Sequence, residues 1–211
     1  VWLEDEAKFW GMKCLWEEDI DYASRVCEHL DVPFETLSLQ DEYHQHVVRY
    51  TLEEAKRGHT PNPDIMCNSR IKFGVFDEYM GRHFKAIATG HYAQVVNKYN
   101  EETGEEYVEL IRSLDTIKDQ TYFLSMLTPS QLSRCIFPVG KYSKRRVREL
   151  AREMGLPTMD RKDSQGICFL GKLNFDDFIY HYLGENPGVI KKYPTGEVLG
   201  AKSLAAPSDH C

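Results

Sequence analysis

Long apolar runs are missing from this sequence. None approaches the ~18 residues of a membrane-spanning helix, so no membrane partner is expected. Internal repeats and low-complexity tracts are missing too, which excludes a solenoid or a fibrous array. None of the six cysteines (Cys14, Cys27, Cys67, Cys135, Cys168 and Cys211) forms a C-x-x-C pair. That argues against a zinc ribbon or a thioredoxin motif, and no bound metal or prosthetic group is expected. The cysteine spacings are wide and the chain is too large to need disulfide staples, so reduced thiols are the default. An excess of positive charge is also absent. The net charge is −7, which argues against non-specific coating of nucleic acid. The chain opens on Val1 without a basic leader, so the lack of a targeting segment says nothing about compartment.

The 211 residues are 42 % hydrophobic and 28 % charged, ordinary values for a globular protein. They allow one large domain, or one domain and part of another. Cations concentrate between Lys141 and Lys162: Lys141, Lys144, Arg145, Arg146, Arg148, Arg152, Arg161 and Lys162 face only Glu149, Glu153 and Asp160. This strip reads either as a solvated helix face or as a phosphate-contacting surface.

Periodicity sets out the elements. Val1 and Trp2 read as the end of a strand. Glu17 to Leu30 reads as a helix with Ile20, Ala23, Cys27 and Leu30 on one face. Val32 to Leu39 reads as a strand. Asp41 to Arg57 reads as a helix with Tyr43, Val47, Tyr50 and Ala55 inward, stopped by Gly58. The loop 59–64 holds two prolines, and a helix over Met66 to Met80 should bury Ile71, Val75, Phe76 and Tyr79. Lys85 to Thr89 reads as a buried strand. The alternation argues for an α/β layer with a parallel sheet. Tyr92–Val96 and Tyr107–Arg112 suggest a hairpin. Ser143–Met154 and Phe175–Leu183 read as helices, and Val189–Gly200 as a second hairpin.

Four places could carry chemistry. Cys67 sits at the mouth of a predicted helix, where unpaired N–H groups favour a thiolate, with Asp64 three residues earlier. Alternatively, Asp64 caps the helix and Cys67 is a small core residue. Cys168 lies in a polar, glycine-containing run near Arg161 and Lys162, either an ordered functional loop or a connection. Lys118-Asp119-Gln120-Thr121-Tyr122-Phe123 suits contacts to phosphate, base edge and ring face, or begins a helix with Tyr122 and Phe123 in the core. Gly90-His91 closes a strand at the sheet's carboxyl edge, where α/β ligands bind, though a lone histidine there is also a common structural residue.

Six stretches, taken in order, resemble the MnmA/TrmU tRNA 2-thiouridylase family. They are Gly58-His59-Thr60-Pro61-Asn62-Pro63-Asp64-Ile65-Met66-Cys67-Asn68 with Ile71-Lys72-Phe73, Ala88-Thr89-Gly90-His91-Tyr92, and Lys118 to Leu124. Phe137-Pro138-Val139-Gly140 and Lys162 to Gly171, containing Gly166-Ile167-Cys168-Phe169, complete the set. The resemblance implies a PP-loop (adenine nucleotide alpha hydrolase-like) α/β domain lacking its first strand and phosphate loop, followed by a partial helical central domain. It divides the chain at 1–140, 141–200 and an unmatched tail 201–211.

It also implies a tRNA-uridine 2-sulfurtransferase using ATP, with Mg expected beside it, to adenylate the C2 oxygen of the wobble uridine. In that family pattern Cys168 carries the persulfide, Cys67 is the partner thiol, and Asp64 is the acid/base or orienting carboxylate. Asn62, Pro63 and Asp64 face the flipped-out uridine. His91, Lys118, Asp119 and Gln120 contact tRNA, and Gly90 contacts ATP. The implied partners are tRNA and a sulfur-donor persulfide carrier protein. The implied compartment is a mitochondrion or plastid for a eukaryotic member and the cytoplasm for a bacterial one. The family's phosphate loop is expected before Val1, which makes the chain a fragment and leaves a non-catalytic tRNA-binding piece as the alternative.

Overall fold

A computed structural model of the chain describes residues 16–161, 175–185 and 187–203. The first helix, α1, spans Trp16–His29, one residue earlier at each end than its periodicity predicts. Its acidic first turn, Glu17, Glu18 and Asp19, suits the positive end of the helix dipole. None of its residues is fully buried, and Leu30 is exposed.

The strand predicted over 32–39 does not form. The segment carries no strand, and Phe34 and Leu37 stay exposed. A run that alternates apolar and polar residues becomes a strand only when a neighbour supplies ladder hydrogen bonds, and no described residue supplies them here. A cavity of about 490 Å³ lies between this segment and α1, lined by Trp16, Ile20, Ala23, Phe34, Leu37 and Leu39. The strand end predicted at Val1 and Trp2 lies outside the described residues.

Helix α2 runs through Gln40–Tyr43, His44–Val48 and Arg49–Lys56, and its middle stretch is π-type. It ends as predicted. Gly58 takes φ +79°, His59 N–H donates to the Glu54 carbonyl and Gly58 N–H to the Ala55 carbonyl. These paired bonds satisfy carbonyls the helix leaves open, and glycine enters the left-handed region without a Cβ clash.

Helix α3 runs through Pro63–Met66, a π-type stretch Cys67–Val75, and Phe76–Tyr79. It starts three residues earlier than its predicted start. A π stretch leaves main-chain groups without their usual partners. Gln131 answers part of that need by donating Nε2 to the carbonyls of Ser69 and Phe73, at 2.9 and 2.8 Å. Gly74 fits here because a Cβ would stand 3.1 Å from the Ser69 carbonyl oxygen. Tyr79, predicted inward, is exposed and donates to Glu42.

The two π-type stretches contribute to one core of Tyr43, Val47, Val48, Cys67 and Ile71. Phe178 and Ile179 of helix α6, Phe175–Leu183, enter that same core, so it draws on residues from both sides of position 140. A second core joins Phe73, Ala93, Leu124, Leu127, Leu132, Cys135 and Phe137. Helix α3 therefore presents Ile71 to one core and Phe73 to the other.

The parallel pairing expected of an α/β domain appears between β1, Ile87–Ala88, and β4, Cys135–Ile136. Strands β2, Ala93–Asn100, and β3, Glu105–Arg112, form an antiparallel hairpin from Ala93↔Arg112 to Asn100↔Glu105. It is longer than predicted because Asn100 Oδ1 accepts from Glu102 and Thr103 N–H and closes a tight turn. The short helix α4, Pro129–Leu132, carries a capping box of Thr128 and Gln131.

Helix α5, Lys144–Glu153, lies within the stretch predicted as helical, and Ser143 is its N-cap, its hydroxyl accepting from Arg146 N–H. Its basic strip is largely engaged within the protein. Arg146 pairs with Glu149 and Glu153, Arg152 with Asp160, and Arg161 with Asp19, while Arg148 donates to the carbonyls of Met159 and Arg161. Strands β5, Pro187–Lys191, and β6, Val198–Ser203, form the second predicted hairpin. No helix among the described residues is long and apolar enough to cross a membrane.

Candidate active site around Cys67

Asn62 rather than Asp64 caps α3. Its side-chain Oδ1 accepts from Ile65 N–H at 3.2 Å, and Pro63 takes the first helical position, where its missing N–H is harmless. Asp64 and Cys67 therefore stand one turn apart, at i and i+3, on neighbouring positions of the helix surface. Cys67 is not at the helix mouth. Its N–H is already used on the carbonyls of Pro63 and Asp64, and its side chain is 2 % exposed. The thiolate-favouring effect of an open helix end fades within the first turn, so it acts more weakly here than the sequence suggests.

Burial pushes the Asp64 carboxyl above its usual range, against the opposing pull of Lys72. Such a carboxylate takes up a proton more readily than one on the surface. The Lys72 charge acts on His91 as well. His91 is buried, its ring edge-to-face with Phe137 at 5.8 Å and 6.1 Å from Phe73 of α3. Its Nδ1 lies 2.7 Å from Thr89 Oγ1. Burial lowers its pKa to about 4, so the imidazole is neutral at neutral pH. Gly90, between them, is exposed, and a Cβ there would meet nothing within 4 Å.

The segment 115–124 closes the site from another side. Gln120 N–H donates to the Tyr92 carbonyl at 2.9 Å, and Tyr92 N–H to Gln120 Oε1 at 3.0 Å. Burial opposes ionisation at Asp119, yet the Arg112 guanidinium and the amide and hydroxyl of Thr121 hold its carboxyl down at about 2. The N–H groups of Lys144, Lys118 and Ile117 likewise hold Asp115 below the usual carboxylate range. Asn68 donates Nδ2 to the Phe123 carbonyl at 2.9 Å, tying this segment to α3. Tyr122 is 64 % exposed and does not enter the core; Leu124 does.

The structure thus gathers Asn62, Pro63, Asp64, Cys67, His91 and Gln120 onto three adjoining pieces of chain. Cys168 lies outside the described residues. Cys135 is a poor nucleophile, since burial and nearby Asp77 push its thiol up to about 12. Among the described residues, no group of three or more His, Cys, Asp or Glu is placed to hold a metal ion. Sequence reasoning missed Asn68, Lys72, Thr89 and Asp115 as parts of the site. Asn68, Lys72 and Thr89 sat inside quoted motifs, but Asn68 meets its partner Phe123 from 55 positions away, which no local pattern reveals.

Residues 1–172 match the family model of the tRNA methyl transferase HUP domain. The chain belongs to this family. Within the HUP-domain family, the tRNA-specific 2-thiouridylase MnmA of Parabacteroides distasonis is 46 % identical over 200 residues, covering 95 % of this chain and 54 % of that protein. The protein of the same name from Porphyromonas gingivalis is 45 % identical over 95 % of this chain and 53 % of its own length. MnmA 2 of Bacteroides fragilis is 42 % identical over 90 % of this chain and 52 % of its own. The chain spans about half the length of the curated relatives it matches. The α/β content and the parallel β1–β4 pair accord with a HUP domain.

Proposed function

We propose that this chain carries the sulfur-transfer chemistry of a tRNA-uridine 2-sulfurtransferase. The observation that carries the reading is the placement of Cys67 one helical turn from a carboxyl whose pKa burial has raised. Asp64 is the proton acceptor or orienting group for the thiol or for the base. Asn62 and Pro63 lie beside it and face an extruded uridine, since a base must leave its stack before C2 can be reached.

Sulfur arrives as a persulfide on Cys168, loaded by a carrier protein. The Cys67 thiolate attacks the Cys168-bound sulfur atom, forming a Cys67–Cys168 disulfide and releasing the terminal sulfur as hydrosulfide, which adds at C2. Gly90 fits a nucleotide contact, because its open face lets a ligand approach the backbone beside the carboxyl end of β1. ATP, with Mg beside it, supplies the leaving group that makes the C2 oxygen displaceable. Lys118, Asp119 and Gln120 contact the tRNA from a braced segment.

The test replaces each thiol in the protein. Cys67→Ser and Cys168→Ser are each expected to abolish 2-thiouridine in tRNA, read by mass spectrometry of digested nucleosides. Undiminished thiolation in either variant refutes the two-thiol relay. A second reading is a tRNA-binding piece of the same family without catalysis. Titration of this 211-residue chain with ATP separates the two readings, since tight binding contradicts the second.

A further inference from the structure

Tyr122 is a large aromatic side chain left 64 % exposed on a segment held by hydrogen bonds on both sides. It lies in the 3₁₀ turn Thr121–Leu124. Thr121 before it is held by Asp119, and Gln120 is bonded in both directions to Tyr92. Phe123 after it is held by the Asn68 amide, and Leu124 is buried. The Phe123 ring meets the Tyr122 ring edge-on at 5.5 Å. One face of an exposed aromatic is thus presented by a turn braced on both sides.

The brace has an energetic signature. Asn68 is 3 % exposed, and its Oδ1 is buried without a hydrogen-bond partner. An unsatisfied buried acceptor is unfavourable, and natural proteins tolerate few of them. Here the tolerated defect belongs to the side chain that ties the turn to the Cys67 helix. The surroundings indicate what the ring meets. Asp115 accepts from both Lys118 and Lys144 N–H, so one carboxylate joins the tyrosine's segment to the start of α5. That junction joins the main chain at Lys118 and Lys144, next to Arg145, whose side chain is 89 % exposed and lies 3.9 Å from Glu149. An exposed ring on a segment that carries Lys118 at the Asp115 junction suits RNA with unpaired bases, whose π-faces stack on aromatic side chains.

We infer that Tyr122 is a stacking platform for an unpaired RNA base, held at a set offset from Cys67 by the Asn68–Phe123 bond. This inference rests on the proposed RNA-directed function and adds a contact that function does not name. Stacking is non-polar, so it should not depend on salt as a phosphate contact does.

The test titrates the full chain with an RNA hairpin whose loop presents an unpaired uridine beside 2-aminopurine. Tyr122→Ala is expected to weaken binding by about ten-fold or more, with the salt slope unchanged. Tyr122→Phe is expected to bind as the wild type, with the same quenching of 2-aminopurine. The tyrosine is exposed, so thermal melts of the three proteins should coincide. Equal affinity and quenching across the three overturn the platform while leaving RNA binding intact, and assign the ring to a protein contact or to none. Failure of the wild type itself to bind the hairpin overturns the RNA reading and the platform with it.

Discussion

Thr89 Oγ1 and His91 Nδ1 lie 2.7 Å apart at the carboxyl end of β1, inside a site where the imidazole is buried against Phe73 and Phe137. Charging this ring means placing a cation among aromatic neighbours with Lys72 near by, so the folded protein disfavours it.

The consequence for stability follows from that preference. The His91 pKa is about 4 in the fold and 6.5 ordinarily, so the unfolded chain binds the proton more readily between those values. The contribution is fully present above pH 6.5 and is lost as pH falls toward 4, with a limit of about 3 kcal/mol. Urea unfolding across this window should show a smaller loss on acidification in His91→Gln than in the wild type. Parallel curves for the two proteins would exclude the imidazole as the cause.

Asp64 titrates in the opposite sense, because burial raises its pKa. If its ionised form accepts a proton during sulfur transfer, thiolation should fall as pH drops through that raised value. Asp64→Asn should lower single-turnover thiolation by about 100-fold and abolish the acid limb, with tRNA affinity retained. An unchanged rate would remove Asp64 from the chemistry.

Two glycines separate packing from ligand contact. A Cβ on Gly140 would stand 1.6 Å from the Ala93 carbonyl oxygen, so the backbone must move. Gly140→Ala is expected to cost about 2 kcal/mol or more in urea unfolding. Gly90→Ala meets nothing within 4 Å and should change stability by less than about 0.5 kcal/mol, while weakening ATP binding. Loss of stability in Gly90→Ala would make that glycine structural.

Asn62 combines a cap with a proposed base contact. Asn62→Ala should cost about 1 kcal/mol, the usual value of a lost N-cap. Asn62→Asp keeps an acceptor for Ile65 N–H and should restore that stability. Thiolation that stays low in Asn62→Asp would locate the amide at the uridine; full recovery would limit Asn62 to capping.

What could be read from the sequence was what depends on neighbours in the chain. The helix at Phe175–Leu183, the Gly58 stop and the helix after Ser143 follow from apolar period and terminal side chains. The hairpins follow from turn residues, although Asn100 drew the first one longer. The order of motifs from Gly58 to Gly171 pointed to the family, because ordered, specific short strings carry that information without a fold.

Tertiary structure alone decided the rest, because those features join residues remote in sequence. The run 32–39 has strand composition but no ladder partner among the described residues. The π-type stretch in α3 is invisible in its periodicity and is answered by Gln131, about sixty positions away. The basic strip over 141–162 reads either as a solvated face or as a phosphate surface, and only the fold shows Glu149, Glu153, Asp160 and Asp19 engaging Arg146, Arg152 and Arg161. Local rules set which backbone each segment prefers; only packing decides which buried polar group meets which partner, and that choice builds the site around Cys67.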